Sequence, residues 1–203
     1  MINFINKCFF YMGKVSPMFG LLFNYIKYRK IHFQIGSFVE IINQGFFKYG
    51  KNLKIGESSR LHILHDCNLI IGDNVSISRN CYIYPESIFI GNKVSVQDNV
   101  RIYGNVTIGN YVIIAPNVFI SSGTHVFDKE HITILEQDNK YKIDFPVIIE
   151  DDVWIGINSV ILPGVIVAKG CIIGAGSILT KSTKPYEIWG GVPAKKIKKR
   201  YKE

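Results

Sequence analysis

The histidine at position 125 is the residue of this sequence best suited to acid–base chemistry. It lies in the stretch ISSGTHVFD, residues 120–128, where a long series of regularly spaced aliphatic residues stops. The series resumes in phase only at Ile149, so His125 lies at the start of an insertion. An imidazole accepts a proton near neutral pH, and general-base assistance accelerates a reaction by about 10²–10⁴-fold. His125 is therefore a candidate general base, at the root of a loop that can admit a substrate.

The basic residues are concentrated at the two ends of the chain. Residues 1–50 carry six basic and one acidic residue, and residues 174–203 carry eight basic and two acidic ones. Residues 51–173 carry ten basic and thirteen acidic residues, so the net charge of +8 comes from the ends. Nucleic-acid-binding proteins usually cluster their basic residues on one face. The distribution seen here favours a small phosphorylated ligand or an anionic surface over a nucleic-acid groove.

The elements that position these residues are set by a repeat of six residues. Before the gap, successive aliphatic positions are six residues apart, except that Ile83 and Ile90 are seven apart. A small or β-branched residue, including Cys81, Thr124 and Cys171, lies four positions after most of the aliphatic residues and is also predicted to face inward. The aliphatic positions are Ile71, Ile77, Ile83, Ile90, Val96, Ile102, Ile108, Ile114 and Ile120, then Ile149, Ile155, Ile161, Val167, Ile173 and Leu179.

This period predicts an all-β fold built as a parallel β-helix. An amphipathic α-helix repeats its apolar positions every three or four residues, and an isolated strand alternates every two. Short β-branched strands joined by Gly- and Asn-containing corners fit a period of six. Three such strands make a coil of eighteen residues, the spacing between Gly91 and Gly109. Stacked coils bury a continuous aliphatic column.

The chain is expected to divide into three segments. Residues 1–50 are predicted to form a short helical segment that caps the first coil or lies on a membrane surface. Residues 51–189 form the β-helix, interrupted by a charged loop at about 126–148 that should project into solvent. Residues 190–203 are a basic tail, expected to leave the coil as a short helix or arm.

The composition is that of a soluble globular protein, 47% hydrophobic and 20% charged. No charge-free apolar run approaches the length of a membrane span, and no secretory cleavage site follows the N-terminal segment. The four cysteines show no metal-binding spacing and are predicted to be reduced thiols. A cytoplasmic location is therefore expected.

The hexapeptide pattern resembles that of the hexapeptide-repeat acyltransferases, and the resemblance covers about residues 51–200. It implies that the β-helix is left-handed. The segment APNVFISSGTHVFD, followed by a loop and then DDVWIGINSVILPGV, resembles the active-site segment of the sugar and polysaccharide O-acetyltransferases in this family. The resemblance implies that His125 is the catalytic base, that Asn99 contacts the acceptor, and that Trp154 lies beside the cofactor tunnel.

Two further segments resemble the coenzyme A-binding part of the same family. They are GAGSILTKS at residues 174–182 and WGGVPAKKIKKR at residues 189–200. The resemblance implies acetyl-CoA as cosubstrate, no metal, and a homotrimer. The expected acceptor is a saccharide of a capsule, O-antigen or other surface polysaccharide, modified in the cytoplasm near the inner membrane face. The implied cofactor contacts are Ala175, Thr180, Lys181, Lys195 and Lys198.

Several alternatives remain open at this point. Asn99 can instead be a coil-corner residue, and Trp154 a packed aromatic residue. The acceptor can be a free simple sugar, an antibiotic or serine. His62 and His65 with His125 can imitate the three-histidine metal site of the carbonic anhydrases that share this fold, and the coil can be a non-catalytic scaffold.

Overall fold

Short strands joined by tight corners wind into a parallel β-helix of about eight turns, the fold class that the repeat predicts. The computed structural model describes residues 33–140 and 144–201, without the side chains of 138–140. The β-helix is left-handed, as the resemblance implies. Of the helical segment predicted over residues 1–50, residues 1–32 lie outside the described residues.

The strands of successive coils stack into three faces. The first face is a nine-stranded sheet that ends with the antiparallel strand β20 (Ala194–Lys199). Its parallel strands are β1 (Phe33–Ile35), β4 (Leu53–Ile55), β7 (Ser76–Ile77), β9 (Ser95–Val96), β11 (Ile113–Ile114), β14 (Trp154–Ile155), β17 (Ile172–Ile173) and β19 (Glu187–Gly191).

The second and third faces are joined into one eleven-stranded sheet, because β8 (Tyr82–Ile90) and β10 (Arg101–Ile108) turn the corner between them. The second face holds their first halves with β2 (Glu40–Asn43), β5 (Arg60–Ile63), β12 (Phe119–Ser121), β15 (Val160–Ile161) and β18 (Ile178–Leu179). The third face holds their second halves with β3 (Phe46–Tyr49), β6 (Asn68–Ile71), β13 (Val147–Ile149) and β16 (Ile166–Val167).

The interior is a column of aliphatic side chains. Every position of the aliphatic series, from Ile71 to Leu179, is at most 2% exposed. The small and β-branched residues of the second inward series, from Val75 to Ser177, are buried too, with one exception. Thr124 is exposed, so its predicted inward orientation is wrong. The chain leaves the coil after the buried Ser122, and Val126 is the next buried residue.

Residues 33–49 already belong to the coil, so the helical structure predicted for them is wrong and the coil does not begin at residue 51. Strands β1 to β3 pair in parallel with β4 to β6, so residues 33–49 form a complete coil. Phe33 is 5% exposed and packs against Tyr49, with ring centroids 4.7 Å apart. Aromatic residues take the place of the aliphatic ones here, and paired residues such as Phe33 and Leu53 are separated by more than eighteen positions. Both departures hid the repeat.

The basic tail also differs from its prediction. It forms neither a helix nor a free arm, because β20 pairs antiparallel with β19 and continues the first face. The first residue of β20, Ala194, is buried, and the other residues of the strand are exposed. The lysines at 195, 196, 198 and 199 concealed the strand, since such a run usually marks a solvated segment.

The described part of the insertion contains the helix α1 (Ile134–Lys140). Thr133 caps it, because its hydroxyl accepts a hydrogen bond from the Glu136 N–H while the Glu136 carboxylate accepts one from the Thr133 N–H. Gln137 is 1% exposed and fixes the helix to the preceding chain through Lys129 and Ile132. No helix among the described residues is both long and apolar enough to cross a membrane.

Candidate active site

His125 lies at the corner between the second and third faces, where the insertion departs. Its side chain is exposed. Two residues earlier, Gly123 forms an antiparallel bridge with Asp144, and the Phe145 N–H donates to the Ser122 carbonyl at 3.0 Å. The two ends of the insertion are therefore held side by side, next to the histidine.

Four polar side chains, Glu86, Asn105, Ser122 and Asp144, form a cluster at this corner, here called the corner cluster. The Ser122 hydroxyl donates to Asp144 Oδ1, and Asn105 Nδ2 donates to Asp144 Oδ2. Asn105 Nδ2 also lies 3.2 Å from Glu86 Oε2. Ser122 is fully buried, and its Oγ accepts a hydrogen bond from the Asn105 N–H at 2.7 Å. The corner cluster thus ties the far end of the insertion to the coil that carries His125.

The long step in the repeat produces part of this cluster. In the pairing of β10 with β8, Gly104 is opposite Pro85 and Asn105 is opposite Ser87, so Glu86 is the extra residue of a bulge. Bulges are over-represented beside active sites because they redirect a side chain. Gly104 has a φ of 84°, and a Cβ at this position would collide with Ser122 Oγ. Glycine is therefore required where the serine enters the cluster.

Asn99 lies away from His125, at the corner between the first and second faces. Its φ is 61°, a left-handed conformation that asparagine tolerates well. Asn99 Oδ1 accepts a hydrogen bond from Asn80 at 2.8 Å, and its Nδ2 donates to Asn117 at 3.0 Å. Asn117 donates in turn to Asn158 at 2.9 Å. This ladder favours the coil-corner interpretation of Asn99, and Asn105 is the asparagine that the structure brings to the His125 corner.

Three predicted cofactor residues share the first face. Trp154 is 50% exposed. A row of paired residues leads from it across the face, through Ile172 and Ile188, to Lys198 on β20. The register of β20 shifts by one residue between its pairs with Ile188 and Trp189. Consequently Lys195, paired with Gly190, is brought to the same side as Lys198 although the two are three residues apart. The indole and two ammonium groups thus line one surface.

The other predicted cofactor residues surround the end of the coil. Ala175 lies at the corner that follows β17, and its N–H group packs against Gly156 of the previous coil. Thr180 and Lys181 follow β18, at the next corner. All three are exposed. The predicted contacts therefore extend over two corners and a face of the C-terminal coils.

A buried carboxylate, Glu187, holds the lysine strand in place. Glu187 is 4% exposed and binds Lys196 Nζ at 2.8 Å, the Trp189 indole N–H at 2.8 Å and the Lys184 N–H at 3.0 Å. Burial acts to raise the pKa of this carboxyl, but these hydrogen bonds outweigh burial and lower the pKa to about 2. Sequence reasoning missed Glu187, since a single acid among lysines resembles a surface residue.

Replacing Glu187 with glutamine should lower the free energy of unfolding by about 2 kcal/mol at neutral pH, the usual range for hydrogen bonds to a charged group. The folded-state pKa lies below the unfolded one, so the carboxylate's contribution is present above the unfolded pKa and is lost as the pH falls towards about 2. Urea unfolding at neutral pH and at about pH 3 measures this. The exposed Glu57→Gln variant is the control, and an equal loss at both pH values would contradict the assignment.

The histidines of the alternative metal site are separated. His62 accepts or donates a hydrogen bond with the Tyr82 hydroxyl at 3.0 Å, and its Nε2 lies 3.4 Å from a Glu40 oxygen. His65 is exposed at a corner three coils before His125. Within residues 33–140 and 144–201, no three side chains of His, Cys, Asp or Glu form a group that could hold a metal ion.

The fold and this corner define a class of transferases built on hexapeptide repeats. The sequence profile described as "Bacterial transferase hexapeptide (six repeats)" matches residues 87–122 and 146–181. The Escherichia coli protein named "Putative lipopolysaccharide biosynthesis O-acetyl transferase WbbJ" is 31% identical over 163 residues, 78% of this chain and 74% of WbbJ. This chain belongs to the hexapeptide-repeat acyltransferase family, which confirms the resemblance seen in the sequence.

Other relatives agree with this family. Escherichia coli galactoside O-acetyltransferase is 37% identical over 131 residues, 63% of this chain and 62% of the enzyme. A mutant of the N-acyltransferase AntD from Bacillus cereus, solved with dTDP and coenzyme A, is 27% identical with a TM-score of 0.62, covering 76% of this chain and 84% of that one. This chain spans 62% of the length of the galactoside enzyme and 43% of the length of another curated relative, less than two thirds of either.

Proposed function

We propose that the protein is an acetyl-CoA-dependent O-acetyltransferase that modifies a saccharide hydroxyl, in a surface polysaccharide. The observation that carries this proposal is the position of His125, an exposed imidazole beside the corner cluster that fixes both ends of the insertion. Relatives named as galactoside and lipopolysaccharide O-acetyltransferases support the saccharide acceptor, and the coenzyme A bound to AntD supports the cosubstrate.

In this reaction His125 acts as the general base. The imidazole removes the proton of the acceptor hydroxyl while the hydroxyl oxygen attacks the carbonyl carbon of the acetyl thioester. The tetrahedral intermediate then collapses, the C–S bond breaks, and the departing thiolate takes the proton from the imidazolium. The products are an acetyl ester and free coenzyme A. An exposed histidine at a rigid corner can reach both the hydroxyl and the sulfur.

A second copy of the chain completes the site in this proposal. The corner that carries His125 lies opposite the first face in a three-sided coil, and the first face carries Trp154 and Lys198. One acetyl group can therefore meet both sets of residues only if the corner of one copy approaches the first face of another. Ile113 and Trp154 leave apolar surface there, 45% and 50% exposed. Three copies close such a head-to-tail contact into a ring, and light scattering that finds only monomer would contradict it.

The test of the activity is release of free thiol from acetyl-CoA in the presence of acceptors. We expect release to depend on a saccharide and to be faster with polysaccharide repeat units than with free galactose, maltose, serine or chloramphenicol. Mass spectrometry of the acceptor should show one added acetyl group. Thiol release that no acceptor stimulates would remove the proposal.

Replacing Lys195 and Lys198 together with glutamine should raise KM for acetyl-CoA about five- to tenfold, with little change in kcat. Each ammonium offers a point charge to the phosphates of coenzyme A, and an exposed charge pair contributes up to about 1 kcal/mol. The double variant of Lys51 and Lys54, at the opposite end of the coil, removes the same charge and is the control. The effect should shrink as salt is added, and an unchanged KM would show that another surface holds the phosphates.

We place the reaction in the cytoplasm at the inner face of the membrane, where the basic residues of the N-terminal segment can meet anionic head groups. Sedimentation of the full chain with vesicles of anionic and of neutral lipid tests this placement. Binding to neither would contradict the placement at the membrane.

A further inference from the structure

The second face carries a continuous row of aromatic rings on its outer side, here called the aromatic strip: His62, Tyr82, Tyr84, Tyr103 and Phe119. Ring centroids are 5.1 Å apart for His62 and Tyr82, and 5.5 Å apart both for Tyr82 and Tyr103 and for Tyr103 and Phe119. All these pairs meet edge to face, and all five side chains are half-buried. The aromatic strip crosses four successive coils. Since adjacent strands lie about 4.8 Å apart, it is about 14 Å long.

Such a row combines flat apolar surface with hydroxyl groups at its edge, which is the surface that a sugar ring requires. Tyrosine offers a rigid apolar body and a polar tip, and ordering it costs little conformational entropy. The rings already hold one another in place, so the surface is formed before any ligand arrives. The Tyr82 hydroxyl is further fixed by His62 Nδ1 at 3.0 Å.

A positively charged side chain, Arg101, lies within the aromatic strip. Arg101 is exposed and stands directly opposite Tyr82 on one side and Phe119 on the other. The neighbouring arginines are paired, Arg60 with Glu40 at 3.7 Å and Arg79 with Asp98 at 2.7 Å. Among the described residues, none forms an ion pair with Arg101. Its planar guanidinium is suited to binding a carboxylate in a bidentate manner.

The aromatic strip leads directly to the candidate active site. Tyr103 is opposite Ser121 on β12, the last strand before the insertion, and His125 follows four residues later. The corner cluster beyond it presents Glu86 and Asp144, whose carboxylates can accept hydrogen bonds from sugar hydroxyls but repel an anion. The two regions therefore differ in charge, one cationic and one anionic, and Arg101 and Asn105 lie four residues apart on β10.

We propose that the aromatic strip, with Arg101 within it, binds an acidic oligosaccharide segment of the acceptor, a chain of carboxylated sugars. This inference rests on the proposed function and deepens it. The sugar rings stack along the tyrosines, a carboxylate pairs with Arg101, and the charge difference directs a neutral hydroxyl, rather than a carboxylate, to His125.

The test is equilibrium binding without acetyl-CoA, measured by calorimetry with two probes of equal length, hexagalacturonate and maltohexaose. Hexagalacturonate should bind more tightly. Arg101→Gln should weaken its binding about five- to tenfold and leave maltohexaose unchanged, and added salt should reduce the difference. Tyr103→Leu should weaken both probes. Lys54→Gln, an exposed charge change on the first face, should weaken neither.

The outcomes separate this inference from the proposed function. Equal binding of the two probes, no binding of either, or no effect of Arg101→Gln overturns the assignment of the aromatic strip, even if acetyl transfer to another saccharide is found. A change of oligomeric mass on Tyr103→Leu with no change in sugar binding also overturns it, because the aromatic strip is then a contact between copies. If hexagalacturonate binds more tightly and Arg101→Gln weakens it, but no acetyl transfer to any saccharide is found, the assignment of the aromatic strip is supported and the proposed activity is wrong.

Discussion

Replacing His125 with alanine should lower kcat for acetyl transfer by about 10²–10⁴-fold, the contribution expected of a general base. KM for acetyl-CoA should change little, because the predicted cofactor residues lie on the first face and at the C-terminal corners. The exposed position of His125, beyond the last strand of its coil, means that the fold should tolerate the change. Steady-state thiol release with a saccharide acceptor, together with coenzyme A binding, provides the measurement.

A matched control exists in the same chain. His65 is exposed at the equivalent corner of an earlier coil, so His65→Ala makes the same chemical change away from the corner cluster. It should leave kcat unchanged. If His125→Ala retains near-normal turnover while His65→Ala does not, the base lies elsewhere and the proposed mechanism is wrong.

Replacing Asp144 with alanine should lower kcat at least tenfold, with KM for acetyl-CoA nearly unchanged, since small displacements of positioned groups cost large factors in rate. Asp144 accepts hydrogen bonds from both Ser122 and Asn105 and bridges Gly123, so its loss releases the chain that carries His125. It also leaves the buried Ser122 hydroxyl without this partner, which costs about 1–3 kcal/mol of stability. Turnover, KM and thermal unfolding measured together define the effect.

Two comparison variants sharpen this prediction. Asp144→Asn keeps one acceptor oxygen and should retain more activity than alanine. Asp128→Ala removes an exposed carboxylate of the same insertion whose neighbour Lys129 lies 3.8 Å away, and it should leave kcat unchanged. A loss of stability at Asp144 without a loss of kcat would show that the corner cluster holds the insertion but does not position the histidine.

The fold could be predicted from the sequence because each coil repeats the same inward positions. An error at one position is corrected by its neighbours, and Ile71, Ile102 and Leu179 all occupy one buried column. The return of the coil after the insertion was equally clear. Asn117 and Asn158 bond across 41 positions where Asn99 and Asn117 bond across 18, so 23 residues leave the coil without disturbing its register.

The candidate site could be predicted only in part. His125 was identifiable because the repeat breaks beside it, but its partners have no such marker. In the sequence, Glu86 is visible only as one extra residue between Ile83 and Ile90. The repeat does not show that the carboxylate of Glu86 lies at the same corner as His125. Asp144 is separated from Ser122 by twenty-two positions of non-repeating sequence. Asn99 shares its residue type with Asn105, and only the backbone geometry separates a corner amide from one beside the histidine.

The two ends of the coil illustrate a different limit. Residues 33–49 pair as a coil although large aromatic side chains replace the repeat, because hydrogen bonding to β4, β5 and β6 requires no particular side chain. The lysine strand forms for a related reason. Its backbone continues the first face, while Glu187 supplies the buried partner that a basic strand needs.

The antiparallel strand β20 also forms one edge of the first face. A stack of parallel strands ends in a row of unpaired N–H and C=O groups, the kind of edge on which fibrils grow. In the first face, β20 takes that edge, runs in the opposite direction, and covers it with charged lysine side chains. Another chain that approached this end would meet like charge in place of a matching strand. The segment that the proposed reaction uses to hold phosphate therefore also places like charges along this edge of the first face, which disfavours edge-to-edge pairing there.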